Sequence, residues 1–252
     1  MKKLIFALLI AGGALFTSCN KDSKTGNLTV TGKVDGLKQG KLYLHQVKDT
    51  VYAIVDSIVV NGTDSNFNFK LNIDSPEVFF LTLDRGQSKS IDNQLMFFAE
   101  PGEMTINTTL AGFYKDAKVT GSKNNDLFNE YIKSRTLIVD KQNDLIVEIF
   151  NAEKANNMAK KDSLLAVNRK LLARRYLNAV NFAVVHKDAD VSPYIALTEL
   201  YDRNIKYLDT IYNSLTPQIL KNKYGKDLGE FIKERKAEEQ KITTTQATSE
   251  TN

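Results

Sequence analysis

The sequence predicts an α+β protein, an N-terminal antiparallel β-sandwich or open barrel followed by a C-terminal helical region. Two observations carry this. From Asn27 to about Thr120, short runs in which apolar and polar residues alternate are separated by glycine and polar turns. Such runs, recurring roughly every 8–12 residues, are the pattern of a half-buried sheet. Beyond Gly121 the apolar period lengthens to that of a helix. A third feature precedes both: Met1-Lys2-Lys3, an apolar run Leu4–Phe16, then Thr17-Ser18 before Cys19, the only cysteine of 252 residues.

Residues 1–18 read as a secretory signal peptide, with a basic start, a short apolar stretch and a small-residue cleavage site. The apolar stretch is shorter than the ~20 residues that span a bilayer. With Cys19 it resembles the lipobox of bacterial lipoproteins, whose thiol receives a diacylglyceryl group. Phe16 stands where the usual pattern has leucine. Cys19 is the expected lipidation site. One acyl chain binds a membrane marginally and two bind stably, at ~0.8 kcal/mol per buried methylene. Asn20, where an aspartate would retain enteric lipoproteins, implies onward passage to the outer membrane, facing either the periplasm or the surface. Residues 19–26 are the lipidated tether.

The β domain is expected over 27–121. Its strands are read at Leu28–Thr31, Gly40–Leu44, Val51–Val60, Phe67–Ile73, Val78–Leu83, Leu95–Phe98, Met104–Ile106 and Ala117–Thr120. Asn61-Gly62 is the hairpin signal, because both residues tolerate the positive φ of a type I′ turn. The helical domain is expected over 122–240. Asn124-Asn125-Asp126 offers an N-cap for a first helix, and a second runs from about Met158 to Val185. Ser192-Pro193 reads as cap plus first helical residue, and Thr216-Pro217 repeats the device. A last helix spans about Lys226 to Gln240. Residues 241–252 are polar and Thr-rich and are expected to be a disordered tail.

Composition narrows the class. Lys+Arg 34 against Asp+Glu 30 gives a net charge of +4, and loss of Lys2 and Lys3 with the signal leaves +2. That balance lacks the basic stripe of a nucleic-acid binder. With Cys19 acylated no thiol remains for a disulfide, a CxxC pair or a cysteine nucleophile. Tryptophan is absent, which counts against a sugar platform built on it.

Phe98-Ala99-Glu100-Pro101-Gly102-Glu103-Met104-Thr105-Ile106 and Val119-Thr120-Gly121-Ser122-Lys123-Asn124-Asn125-Asp126 carry a family resemblance. With Asp56-Ser57-Ile58, Phe67-Asn68-Phe69-Lys70 and Val191-Ser192-Pro193-Tyr194, they resemble a domain-of-unknown-function family (number 4369) common in lipoproteins of gut Gram-negative bacteria. In many relatives that module precedes a thioredoxin-like domain with a CxxC pair. No such part is expected here, so the resemblance implies no redox activity and supplies no catalytic residues.

Residues able to carry chemistry are few. His45 lies in an expected strand and His186 past a helix, far apart in sequence, and a zinc site would need further carboxylate ligands. No Gly-x-Ser-x-Gly elbow and no phosphate loop follow the signal. Glu100-Pro101-Gly102-Glu103 reads either as a carboxylate pair or, as favoured here, a type II turn. Arg169, Lys170, Arg174 and Arg175 read as a solvated helix face rather than a lipid-binding one. Asp49-Thr50-Val51, Asp56-Ser57-Ile58, Asp162-Ser163-Leu164 and Asp209-Thr210-Ile211 resemble a periplasmic O-glycosylation motif, making Thr50, Ser57, Ser163 and Thr210 possible acceptors. The expectation is therefore a non-enzymatic lipoprotein, a binding or assembly module of the envelope with no cofactor, metal or nucleic acid. Its partners would be the membrane, through the lipid, and a protein or glycan of unspecified identity. The alternative is an accessory to envelope thiol-disulfide chemistry beside a separate thioredoxin-like partner.

Overall fold

The computed structural model describes residues 26–48, 51–62, 64–86 and 90–249. The signal peptide, Cys19, the tether up to residue 25, and Thr50 lie outside the described residues. Eight strands come first: β1 (Leu28–Asp35), β2 (Gln39–Lys48), β3 (Val51–Asn61), β4 (Asn66–Leu71), β5 (Glu77–Asp84), β6 (Gln94–Ala99), β7 (Gly102–Thr109) and β8 (Lys118–Thr120). They form two open four-stranded sheets. Sheet A has the order β4-β1-β7-β8 and sheet B the order β3-β2-β5-β6. The architecture is a sandwich, not a barrel, and every expected run is a strand.

Two details of the β region differ from expectation. β1 and β7 pair in parallel, with Val30 opposite Met104. The chain commutes between the sheets, so the direction in which β7 returns beside β1 is set by the whole path and not by a local turn. Asn61-Gly62 does not close a hairpin, because β3 pairs with β2 and β4 with β1. Gly62 has φ +102, but Asn61 keeps a negative φ, so no type I′ turn forms. The pair starts the crossing from sheet B to sheet A, anchored by Gly62 N–H on the Lys38 carbonyl at 2.9 Å.

Inside the sandwich, Val30, Phe69, Phe79, Leu81, Phe97 and Ile106 form a closed core. A second core lies on the outer face of sheet B, where Val78 and Phe98 pack with Tyr131, Val191, Ile195 and Leu228. Sheet B is thus covered on both sides at this end. This explains the unbroken apolar runs Val78–Leu81 and Leu95–Phe98, which alternation alone would not give. Each such side chain contributes about 1.5–3 kcal/mol when fully buried.

The third layer is α1 (Lys123–Lys154), α2 (Met158–Val185), α3 (Val191–Glu199), α4 (Ile205–Ser214) and α5 (Lys223–Ser249). Among the described residues no helix is long and apolar enough to cross a membrane. Ser122, not the Asn124–Asp126 group, caps α1: its Oγ accepts the Asn125 N–H at 3.0 Å. Ser192 is not a cap either. Asp190 is already helical in backbone, so Ser192 lies inside the turn and donates to the His186 carbonyl at 2.6 Å. Thr216-Pro217 leads only to a 3-10 turn at Ile219–Lys221, with Gln218 at its start. The sequence reading missed α4, which is capped by Asn204 through the Lys206 N–H and buries Leu208 and Ile211. At the other end, α5 starts at Lys223 and runs to Ser249, past the expected break at 240. No glycine or proline in 241–249 stops it, and each added residue adds a hydrogen bond.

The family-like residues tie the sandwich to this layer. Glu100 Oε1 accepts the Lys123 N–H at 2.7 Å, and its Oε2 accepts from Asn124 Nδ2 at 2.7 Å. A carboxylate there satisfies orphan amides at the positive end of α1. Asn124 Oδ1 accepts the buried Val191 N–H at 3.0 Å, and Asn125 Oδ1 accepts the Phe98 N–H at 3.1 Å. Tyr224 of α5 accepts the Val78 N–H at 2.9 Å.

Deeper in the helices, Glu199 forms an ion pair with Arg135 at 2.6 Å and faces Arg175 at 3.9 Å. Tyr131 beside them is fully buried, and its hydroxyl has no hydrogen-bond partner among the described residues. Burial holds that phenol protonated well above its ordinary range, with the Glu199 charge adding to the effect. Removing an unpaired hydroxyl removes a desolvation penalty and little else. Tyr131→Phe is expected to leave stability within about 0.5 kcal/mol of wild type, or slightly raise it. A urea titration showing a loss above about 1.5 kcal/mol would assign the hydroxyl a bond after all.

Candidate functional site

The helices cover only half of sheet B's outer face. Along β2, β5 and β6 the outward positions alternate with core residues, and those beyond the helical layer are Tyr43, His45, Thr82 and Gln94. Tyr52 joins them from β3. Together with Asp84, Asn93 and Ile91 they line an open recess of about 620 Å³.

The side chains in this recess are fixed by one another. The His45 ring stacks on Tyr52, with centroids 4.2 Å apart and planes within 17°. Tyr43 sits 5.8 Å from His45, and Phe80 meets Tyr52 edge-on at 5.4 Å. Thr82 Oγ1 lies 3.2 Å from His45 Nδ1 and 3.3 Å from the Tyr52 hydroxyl. Gln94 Nε2 also donates to that hydroxyl. A bulge in the β2–β3 pairing at Leu44/His45 accompanies this arrangement, the usual device by which a sheet edge re-aims a side chain. Lys41 lies 4.7 Å over the Tyr43 ring, a cation–π contact at the rim.

His45 is 8% exposed, and burial pulls its pKa below that of a free imidazole. The unfolded chain therefore takes up the proton first as pH falls. The contribution is complete above the unfolded value, about 6.5, and is lost as pH drops through it toward the lower native value. The stability gap between wild type and His45→Gln should therefore narrow from about pH 7.5 to about 5.5. Denaturation at both pH values checks this; a gap that stays constant contradicts it.

The other candidates are dispersed. His186 ends α2, against Phe182 at 4.3 Å, and does not join His45. Among the described residues no group of three or more His, Cys, Asp or Glu is placed to hold a metal. Glu100 and Glu103 do not act as a carboxylate pair: Glu100 turns to α1, and Glu103 is exposed on β7. Gly102 between them has φ +132 and is the first residue of β7. Arg175 is half-buried toward Glu199 and lies over Tyr176, whereas Arg169, Lys170 and Arg174 are exposed. Of the glycosylation candidates, Ser57 is half-buried in β3, Ser163 is exposed early in α2, and Thr210 is exposed on α4, donating to the Lys206 carbonyl.

Sequence reasoning missed Tyr43, Tyr52, Thr82 and Gln94. A signal was present: Tyr43 and His45 share strand parity, and Thr82 interrupts an otherwise apolar run with a hydroxyl. What tied them to Tyr52 was the pairing of β3, which spacing does not give.

No curated protein and no solved structure matches this chain. Residues 28–128 match the model of a family described as Domain of unknown function (DUF4369). That stretch takes in all eight strands and ends in the first turns of α1, just past the Asn124 and Asn125 ties. Over residues 28–128 this chain is similar to that family.

Proposed function

We propose that this protein is a non-enzymatic binding or assembly module of the cell envelope, held at the outer membrane by lipid on Cys19. Its binding surface is the uncovered half of sheet B's outer face. One observation supports this most: a recess of about 620 Å³ lined by aromatic rings, hydrogen-bonding side chains and the Asp84 carboxylate, open where the helical layer stops. Concave sites of this size and lining bind small ligands or protruding side chains. The groups there are engaged with one another, His45 with Tyr52 and Thr82, Tyr52 with Gln94. This gives a preset contact surface and not a poised nucleophile. Aromatic residues that keep their place are the usual anchors of an interface.

Tyr52 is 44% exposed, so Tyr52→Ala removes the platform at small cost to the fold. Full-length wild type and variant, extracted from native envelopes in mild detergent, are to be compared for what co-purifies. The proposal expects at least one envelope component to be depleted with Tyr52→Ala while the circular dichroism is unchanged. Identical partner sets would contradict it. A CxxC oxidoreductase as the depleted component would favour the thiol-accessory reading.

A further inference from the structure

A second recess, of about 830 Å³, opens where α3 and α5 meet sheet B. Its floor is apolar: Val47 and Phe80 from the sheet, Leu197 from α3 and Phe231 from α5. One bank is acidic. Asp227, Glu230 and Glu234 follow each other along one stripe of α5, since residues three and four apart are neighbours on a helix. All three are exposed, and none has an ion-pair partner within salt-bridge distance among the described residues. Lys223, the one cation lining the recess among the described residues, is already engaged by Glu77. Partial desolvation against the cleft wall, with Glu230 and Glu77 nearby, holds the Asp227 carboxyl above its usual range against the pull of Lys223 and Lys226. The cleft is thus a negative patch on a chain whose net charge is +4.

We infer that this cleft docks a cationic amphipathic segment of a partner protein, its apolar side chains on Phe80 and Leu197 and its lysines or arginines along the acidic bank. The two parts have separate roles. Burial on the floor supplies affinity, and the bank supplies orientation and rate of encounter. An anionic headgroup or phosphate meets like charge there and is repelled. The inference does not depend on the aromatic recess.

The test uses the full-length protein and a fluorescent peptide of leucine and lysine in a helical repeat, with a counterpart carrying glutamate for every lysine. The lysine peptide is expected to bind, more weakly as salt rises. Asp227→Asn/Glu230→Gln/Glu234→Gln is expected to lower affinity about tenfold, three rim pairs together. Glu103→Gln/Asp140→Asn/Glu148→Gln removes the same charge from distant exposed sites and should change affinity by no more than about twofold. Val47→Asn, at a floor residue that is 41% exposed, should weaken binding without unfolding. The inference is overturned if the two triple variants lose affinity alike, if the glutamate peptide binds as well, or if the lysine peptide does not bind.

Discussion

Gly32→Ala should abolish folding or lower stability by more than about 4 kcal/mol, the range reserved for changes that the native structure has no room for. Gly32 lies in β1, an inner strand of sheet A, between Phe67 of β4 and Ile106 of β7. A β-carbon there would stand 1.8 Å from the Ile106 carbonyl oxygen and 2.6 Å from the Phe67 ring. Both neighbours are fixed. The carbonyl belongs to the parallel ladder, and Phe67 is only 4% exposed in the sandwich core. Relief would mean separating β1 from β7, which pair in parallel. Gly62→Ala is the fitting comparison, since Gly62 also carries a backbone cost at φ +102 but has open space around it. That change should cost on the order of 1 kcal/mol, the strain of a left-handed alanine. Chemical denaturation of both variants gives the answer. A Gly32→Ala midpoint near that of Gly62→Ala would show that sheet A is looser than the register implies.

Asn124→Ala is expected to cost about 2–4 kcal/mol, combining a lost charge-assisted bond with a buried donor left unpaired. Asn124 is 6% exposed and bonds in two directions. Its amide nitrogen reaches Glu100 at the sandwich, and its oxygen takes the Val191 N–H at the start of α3. Alanine leaves the Val191 amide buried without an acceptor and Glu100 with fewer donors. Asn124→Asp should be worse than Asn124→Ala near neutral pH, because it sets a second carboxylate against Glu100. That order of stability, read from denaturant midpoints, distinguishes a joint that depends on these bonds from one held by packing alone.

Strand positions were legible because the alternation of Leu28-Thr-Val30 or Phe67-Asn-Phe69 reports a local property, one buried face. Helix α2 was legible for a similar reason, since Leu165, Leu172, Tyr176, Val180 and Val184 recur at helical spacing. Long-range geometry was not. The parallel β1–β7 pair, the crossing at Asn61-Gly62 and the helical cover on Val78 and Phe98 depend on where the chain returns, and local spacing carries none of that. Caps were misassigned where a polar residue had a better distant partner. Asn124 and Asn125 look like caps but reach the sandwich and α3, and Ser122 does the capping instead. Glu100 belongs to the same class, its acidity serving a helix terminus. The candidate site was half visible, through His45, while the ring stacked on it comes from a neighbouring strand.

The open half of sheet B's outer face is the surface through which we propose that this module binds. Amide chemical-shift mapping of the full-length labelled protein, titrated with solubilised envelope components, tests that directly. The expected result is a cluster of shifted amides at Tyr43, His45, Tyr52, Thr82 and Gln94. Shifts confined to the outward positions of sheet A, such as Thr29, Lys33 and Asn68, or no shifts anywhere, would contradict it.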